Sequence, residues 1–594
     1  MKNCILIFVF AAALIITGIT PVLLPSQIIH VPGDSPTIQG AIDVAANGDT
    51  VLVAEGTYYE NLQITSKSIT LGSHFLIDGD TSHISKTIID GSQPVNSDLA
   101  SVIMVSFSQD TTVIGGLTIT GGYGMKVASG NEFARVGGGI VASASNIMIH
   151  DNRIINNVIN QAKVPDSYTA GASGGGIAIN PLTAQNLSII IGNNLIADNY
   201  VESKMTGGGG IAVVNFYVNN SNYIIENNII SNNIIQNTDE WKAMGGGLAM
   251  NFVLPTGGTQ VIRNNLISGN KALCQSSFGG AMYIVLEERT ADGAVDNDPG
   301  PYFYNNIFVG NHSDHLGGAI AVWRAYFQEG SEEADPLGSP GHYTPKPSFI
   351  NNTIVNNTAK DGSGFYIMNH VPFLMNNILW NEHSESAAWG EIFLGNESTW
   401  TSWVETNKYG GAEVHNTDIQ GGWEKGTGNM DTEHSLIEGK FELMDNSPCI
   451  GAGMEKFEIT SVRYICPVIC YLGHPRPDPA GSNPDLGACE NPLPDPVSVG
   501  EIQSGFLFTF NLKQNYPNPF NPSTTIQFSI PKSESVTLEI YNLLGQKVAT
   551  LVNEKLNAGS HTMFWNAAGF TSGVYLYRLQ AGNYSEMKKL VLLK

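Results

Sequence analysis

From residue 137 onward the chain repeats one pattern of apolar and polar positions. A glycine cluster opens each unit: GGGI from Gly137, GGGIAI from Gly174, GGGGIAV from Gly207, GGGLAM from Gly245, GGAMYI from Gly279, GGAIAV from Gly317 and GSGFYI from Gly362. Behind each cluster large and small residues alternate. Ile177 and Ile179 face one way and Ala178 the other, which is the period of a strand. Between clusters runs a second element, apolar-x-x-Asn-x-apolar-x-x-Asn. It reads Ile149/Asn152/Ile154/Asn157, Ile191/Asn194/Ile196/Asn199, Ile225/Asn228/Ile230/Asn233, Ile262/Asn265/Ile267/Asn270, Phe303/Asn306/Phe308/Asn311 and Phe349/Asn352/Ile354/Asn357. A last instance, Leu374/Asn377/Leu379, ends on Glu382 in place of Asn. No helical period survives these Gly and Asn interruptions. The paired units, spaced mostly in the thirties of residues, predict a solenoid with about three short strands per coil.

One coil cannot bury its apolar side alone. Stacking coils at a strand spacing of about 4.8 Å buries a continuous core and pairs each strand with its counterpart above. Asn at the same place in successive coils suits such a stack. It tolerates the left-handed backbone of a sharp turn, and its amide donates and accepts along the stack. Asn152, Asn194, Asn228, Asn265, Asn306, Asn352 and Asn377 are therefore read as an internal ladder rather than as ligands. The glycines permit tight turns and close approach of coils. A phosphate loop would need one glycine loop opening a helix with a following Lys, and none of these clusters carries GK[ST].

The repeats resemble right-handed parallel β-helix proteins of the pectate-lyase-like superfamily. The pairing of glycine clusters with NN-I-x-x-N is also similar to the repeats of polymorphic outer-membrane autotransporters. The entry segment TIQGAIDVAANGDTVLVAEGTYYENL (residues 37–62) looks like the capping helix and first strand of such solenoids. Ile38, Ala41, Ile42 and Ala45 share one helical face, and Asn47-Gly48-Asp49 ends it. A cap is needed because an open coil end presents unpaired backbone to other chains. The fold class implied is all-β: a right-handed parallel β-helix over residues 28–410, whose C-terminal end spans 411–490. That end, from NTDIQGG through NSPCIGAG to PRPDPAGSNPDLGACE, resembles the tail of exported β-helix proteins of the choice-of-anchor type. Gly451 stands where that pattern has Asp.

Composition changes at ENPLPDPVSVGE, a Pro-rich linker assigned to residues 491–504. After it NYPNPFNPSTTIQFSIP, YNLLGQKVATLV, GSHTMFWN and SGVYLYRL alternate with period two and predict a small β-sandwich over 505–594. These motifs resemble the type A C-terminal sorting domain of the type IX secretion system. The resemblance implies that secretion machinery as a partner. It also implies delivery into the medium or onto the outer-membrane surface of a Gram-negative bacterium.

The N-terminus agrees with export. Lys2, an apolar run from Cys4 to Ile16 and small residues before Pro21 read as a signal peptide over residues 1–22, too short to favour a membrane anchor. Net charge is −24 with a pI near 4.8, which makes nucleic acid and anionic membranes poor partners. No later segment reads as a transmembrane span, and a monomer is expected. Cys449, Cys466, Cys470 and Cys489 cluster near one another, as in an exported chain with one or two disulfides of undetermined pairing, and Cys274 lies apart. Metal binding by Cys466 and Cys470 is a weaker alternative, since no His pair follows.

Chemistry is harder to find. Lyases of the resembled superfamily use an R-x-P-x-x-R element for the base, and this chain has none. The outward positions of the glycine-led strands instead place Tyr283, Trp323 and Tyr366 on three neighbouring coils, with His370 beside them. Such rings either stack on sugars or lie beneath loops. Two long insertions adjoin them, residues 286–302 and 323–347. They offer Arg289 and Arg324 as candidate bases and Asp292, Asp296 and Asp298 as oxygen ligands of the kind calcium takes, or else as a solvated acidic loop. The expected function is engagement of extracellular polysaccharide, by binding or processing. A lyase or glycosidase and a surface adhesin or structural protein are the alternatives. The missing base motif tilts the expectation away from an enzyme.

Overall fold

The computed structural model describes residues 26–492 and 511–592, apart from several short stretches and the longer ones 161–170, 214–220, 289–299, 327–345, 382–389 and 396–411. The proposed signal peptide and most of the linker therefore lie outside the described residues.

Three parallel sheets of twelve, eleven and ten strands run along a right-handed β-helix. In the coil opened by Gly174, Ile177–Asn180 enters the ten-stranded sheet, Ser188–Gly192 the twelve-stranded sheet and Leu195–Ala197 the eleven-stranded sheet. Like residues stack: Ile149 pairs with Ile191, Ile191 with Ile225, Ile225 with Ile262 and Ile262 with Phe303. Phe303 in turn stacks on Phe349 at 4.6 Å between ring centroids. Each fully buried Ile or Phe contributes about 1.5–3 kcal/mol, so a stack of like side chains favours one register over its neighbours.

The middle coils hold more than the three strands expected. After Leu195–Ala197 come Tyr200–Glu202 in a five-stranded sheet and Met205–Gly207 in a seven-stranded sheet. At three residues each, these segments are too short to display a period, so the pattern hid them. They enclose a small core of their own, where Ile159, Val201 and Ile235 meet Ala172 and Ala243. The seven-stranded sheet also lies against the outer face of the ten-stranded one. There Val136 packs on Val141 and Ala178, and Phe278 on Tyr283 and Tyr366.

Asparagines tie the coils together at two corners. In the first row Asn228 donates its backbone N–H and its side-chain Nδ2 to Oδ1 of Asn265, both at 3.0 Å, and Nδ2 also donates to the Ile191 carbonyl. Its own Oδ1 accepts the same two donors from Asn194. The pattern runs through Asn152, Asn194, Asn228, Asn265, Asn306, Asn352 and Asn377, then passes to Thr417 Oγ1 and Asn429. A second row joins Asn157, Asn199, Asn233, Asn270, Asn311, Asn357 and Asn381. Asn381, not Glu382, continues it, because that coil is one residue shorter between its two corners. The left-handed backbone sits one residue earlier than the sequence pattern suggests, at Asn193, Asn227, Asn264, Asn305, Asn351 and Asn376. The ladder Asn itself points inward.

Gly174 has φ +67°, and a Cβ on Gly175 would lie 2.4 Å from the Gly209 carbonyl of the next coil. The cluster is thus a turn followed by a close backbone approach. At the N-terminal end, helix Ile38–Val44 buries Ile38, Ala41 and Ile42. Thr37 caps it, and the Glu60 carboxylate accepts the Ile38 and Gln39 N–H groups at 2.9 Å.

The tail folds back along the solenoid. Side-chain amides of Asn305, Asn351, Asn376 and Asn416, all left-handed positions, donate to carbonyls of Ile469, Asp485, Met454 and Ala452. Leu443, Ile450 and Leu486 cover Val355 and Ile378 of the eleven-stranded sheet. Gly451, at φ +63°, donates its N–H to the Asp485 carboxylate at 2.7 Å. The C-terminal module is two antiparallel sheets of three and four strands around Ile526, Phe528, Trp565, Leu538, Tyr577 and Leu590.

Asn228→Ala would leave the buried Asn194 N–H without an acceptor, at about 1–3 kcal/mol, and would take one of three acceptors from Asn194 Nδ2 and one donor each from Asn265 Oδ1 and the Ile191 carbonyl. The variant is expected to lose about 3 kcal/mol or more, read as a lowered urea midpoint. Asn227→Gly, at φ +57°, is expected to stay within about 1 kcal/mol of wild type.

Candidate functional site

The outward row of the ten-stranded sheet has the register that the alternation implies. Ala178 pairs with Ala212, Ala212 with Ala249, Ala249 with Tyr283, Tyr283 with Ala321 and Ala321 with Tyr366. The rings do not stand free. Tyr283 is 4% exposed and Tyr366 2%, with Phe278 6.1 and 5.9 Å from them between centroids. The strands Lys242–Met244 and Ser277–Phe278 of the seven-stranded sheet cover them. Tyr283 and Tyr366 therefore offer no open face to a sugar, contrary to the exposed platform considered from sequence. Burial pushes the Tyr366 phenol up to about 12 and that of Tyr283 well above its ordinary value, so both stay protonated near neutral pH.

Trp323 lies in the neighbouring outward row, opposite Val285 and Met368, and keeps partial exposure. The Lys242 ammonium lies 4.5 Å from the centre of its ring, and Tyr283 packs 6.4 Å away. Burial lowers the Lys242 pKa, which is the condition under which a cation held on an aromatic face gains most. Sequence reasoning missed Lys242 because it sits in one of the added strands.

The edge beside Trp323 has a distinctive geometry. Met282–Glu288 and Ile320–Tyr326 pair along their whole length, ending with Glu288 opposite Tyr326, and Leu248–Leu254 pairs with the first of them. Residues 289–299 and 327–345 thus depart from adjacent points. Residues 214–220, 255–257 and 396–411 also fall between a strand of the ten-stranded sheet and one of the twelve-stranded sheet. This corner carries neither asparagine ladder; those occupy the corners on either side of the eleven-stranded sheet. Chain length at this corner varies from coil to coil. Arg324 lies on this edge with its backbone opposite Leu286. Its side chain, and Arg289, Asp292, Asp296, Asp298 and His370, lie outside the described residues.

Among the described residues no group of three or more His, Cys, Asp or Glu is arranged to hold a metal ion, Cys466 and Cys470 included. No bonded pair joins the five cysteines of the described residues in this structure, and Cys449, Cys466, Cys470 and Cys489 are buried.

The chain is an all-β protein, a parallel β-helix followed by an antiparallel module. Residues 514–593 match the family model of the secretion system C-terminal sorting domain, within the 505–594 expected for that module. The chain thus carries a type IX sorting tail and is a secreted, cell-surface protein. No curated protein and no solved structure matches the chain. No helix among the described residues is long and apolar enough to cross a membrane.

One buried carboxylate lies away from this edge and was not singled out from sequence. Glu391 ends the second ladder, accepting the Asn381 N–H and Nδ2 donors at 2.6 Å. Its carbonyl accepts the Gly364 and Phe365 N–H groups, so WGEIFL is an eighth, degenerate glycine cluster, which is the signal that could have found it. Burial pushes the Glu391 carboxyl up to about 8, against the pull of Asn381. The folded value then exceeds the ordinary value of 4.5 that holds for the unfolded chain. Its stabilising contribution is complete below the unfolded value and is lost as pH rises through the folded one. Wild-type urea midpoints are expected to fall between 4.5 and about 8, and Glu391→Gln is expected to flatten that part of the curve.

Proposed function

We propose that the protein, once delivered to the cell surface or medium, binds extracellular polysaccharide along the edge beside Trp323. The observation that carries this reading is the pairing of Met282–Glu288 with Ile320–Tyr326, from which the long stretches 289–299 and 327–345 leave side by side. They leave next to a partly exposed tryptophan, and variable stretches grouped on one edge of a rigid scaffold are where binding surfaces are built. An indole face with polar neighbours suits a pyranose ring. The excess of 53 acidic over 29 basic residues favours a neutral glycan over a polyanion.

The test is retention of the secreted form on immobilised pectate, alginate, chondroitin and neutral glycans, with and without calcium. Retention on at least one glycan is expected, weakened about tenfold by Trp323→Ala, which corresponds to about 1.4 kcal/mol. Absence of retention on all of them contradicts the reading and favours an adhesin that contacts other ligands. Calcium-dependent retention would assign a cation to Asp292, Asp296 and Asp298. Release of unsaturated products or reducing ends, lost in Arg324→Ala or Arg289→Ala, would convert the binding protein into a lyase or hydrolase.

A further inference from the structure

The four buried cysteines of the tail are not equivalent. Cys449 Sγ lies 3.5 Å from the Asp418 carboxylate and Cys466 Sγ 3.1 Å from Asn351 Oδ1. The groups that act most strongly on these two thiols include no other cysteine. Cys470 and Cys489 are different. The Tyr471 N–H donates to the Ala488 carbonyl at 2.8 Å. That bond joins the peptide unit Cys470–Tyr471 to the unit Ala488–Cys489, so the two cysteine Cα atoms flank a single hydrogen bond. Neighbouring segments held this way come within the range of about 4.4–6.8 Å that a disulfide spans. Both residues are buried, at 0% and 2% exposure. After burial, Cys470 is the group that acts most on the Cys489 thiol, in keeping with the neighbouring segments that carry the two.

A second contact links the same two segments. Arg476, inside the loop between the cysteines, donates to the Gly487 and Ala488 carbonyls at 3.0 Å. Its Nε lies 3.2 Å from the Glu490 carboxylate, with neither side chain exposed. The loop therefore returns onto the segment that carries Cys489 and is already fixed there by buried contacts.

We propose that Cys470 and Cys489 form a disulfide in the exported protein, closing the loop that holds Arg476 against Glu490. The oxidant is a disulfide donor of the exchange class, an oxidised dithiol oxidoreductase or glutathione disulfide. One cysteine thiolate attacks the donor, forming a mixed disulfide and releasing the first donor thiol. The second cysteine thiolate attacks the mixed disulfide and releases the other. Two electrons and two protons pass from the cysteine pair to the donor, which ends as two thiols. Burial pushes the Cys489 thiol up to about 12, so exchange precedes closure of the tail over it. Export, which the sorting tail implies, takes the chain to compartments where such a bond persists.

The test is differential alkylation of the full chain, folded in a glutathione redox buffer and then denatured without reductant. Cys274, Cys449 and Cys466, together with Cys4 where the N-terminal segment is retained, are expected to be alkylated at once, Cys470 and Cys489 only after reduction. A peptic fragment joining the last two, lighter by two hydrogens than the reduced pair, is expected as well. In Cys470→Ser, Cys489 should become alkylatable without reductant, whereas Cys274→Ser should leave the map unchanged. Alkylation of Cys470 and Cys489 in unreduced wild type, or linkage of either to another cysteine, overturns the proposal whatever the stability of the variants.

Discussion

An asparagine amide buried at a coil corner finds one carbonyl in its own coil, and its remaining partners must come from the coils above and below. That constraint organises the solenoid. Each Oδ1 takes two donors from one neighbouring coil, and each Nδ2 donates to an acceptor in the other. An unpaired amide at zero exposure would cost about 1–3 kcal/mol, so a coil that slips or lengthens at these corners loses several bonds at once. Coil spacing, strand register and the close glycine approaches follow from holding both ladders in line. The rows end on groups that still accept: Thr417 and Asn429 in one, the Glu391 carboxylate in the other.

The same constraint directs where the surface can vary. Two corners carry the ladders, and the corner between the ten- and twelve-stranded sheets takes the longest insertions, with shorter ones such as 161–170 and 382–389 beyond the second ladder. The left-handed residues ahead of the first ladder have a second use. From Asn305 onward their amides hold the returning tail, which seals the eleven-stranded sheet over the last coils. The long stretches thus gather at the edge near Trp323, and the opposite corner is occupied by the protein itself.

The core of this architecture was legible because it repeats. The alternation in GGGIAI located the strand and its register, and the Asn spacing located the first ladder. The entry helix followed from Ile38, Ala41 and Ile42 on one face. What escaped was everything that repeats weakly. Tyr200–Glu202 and Met205–Gly207 are too short to carry a period, so the layer covering Tyr283 and Tyr366 went unseen. The coil shortened at Asn381 moved the second ladder by one residue, and a Glu in a glycine position concealed the last cluster. The aromatic row illustrates the difference between facing outward from a strand and facing solvent. Alternation reports the first, and only the packing of the added sheet decides the second.

Amide hydrogen exchange on the full chain tests the central claim most directly. If the ladders hold the coils, the N–H groups of Asn194, Asn228, Asn265 and Asn306, each bonded to a buried amide oxygen, should be among the slowest to exchange. They should share one rate across the middle coils and be far slower than those of the two-stranded hairpin Lys456–Ile459 and Val462–Ile465. Ladder amides that exchange as fast as that hairpin, or at rates that differ from coil to coil, would contradict the account.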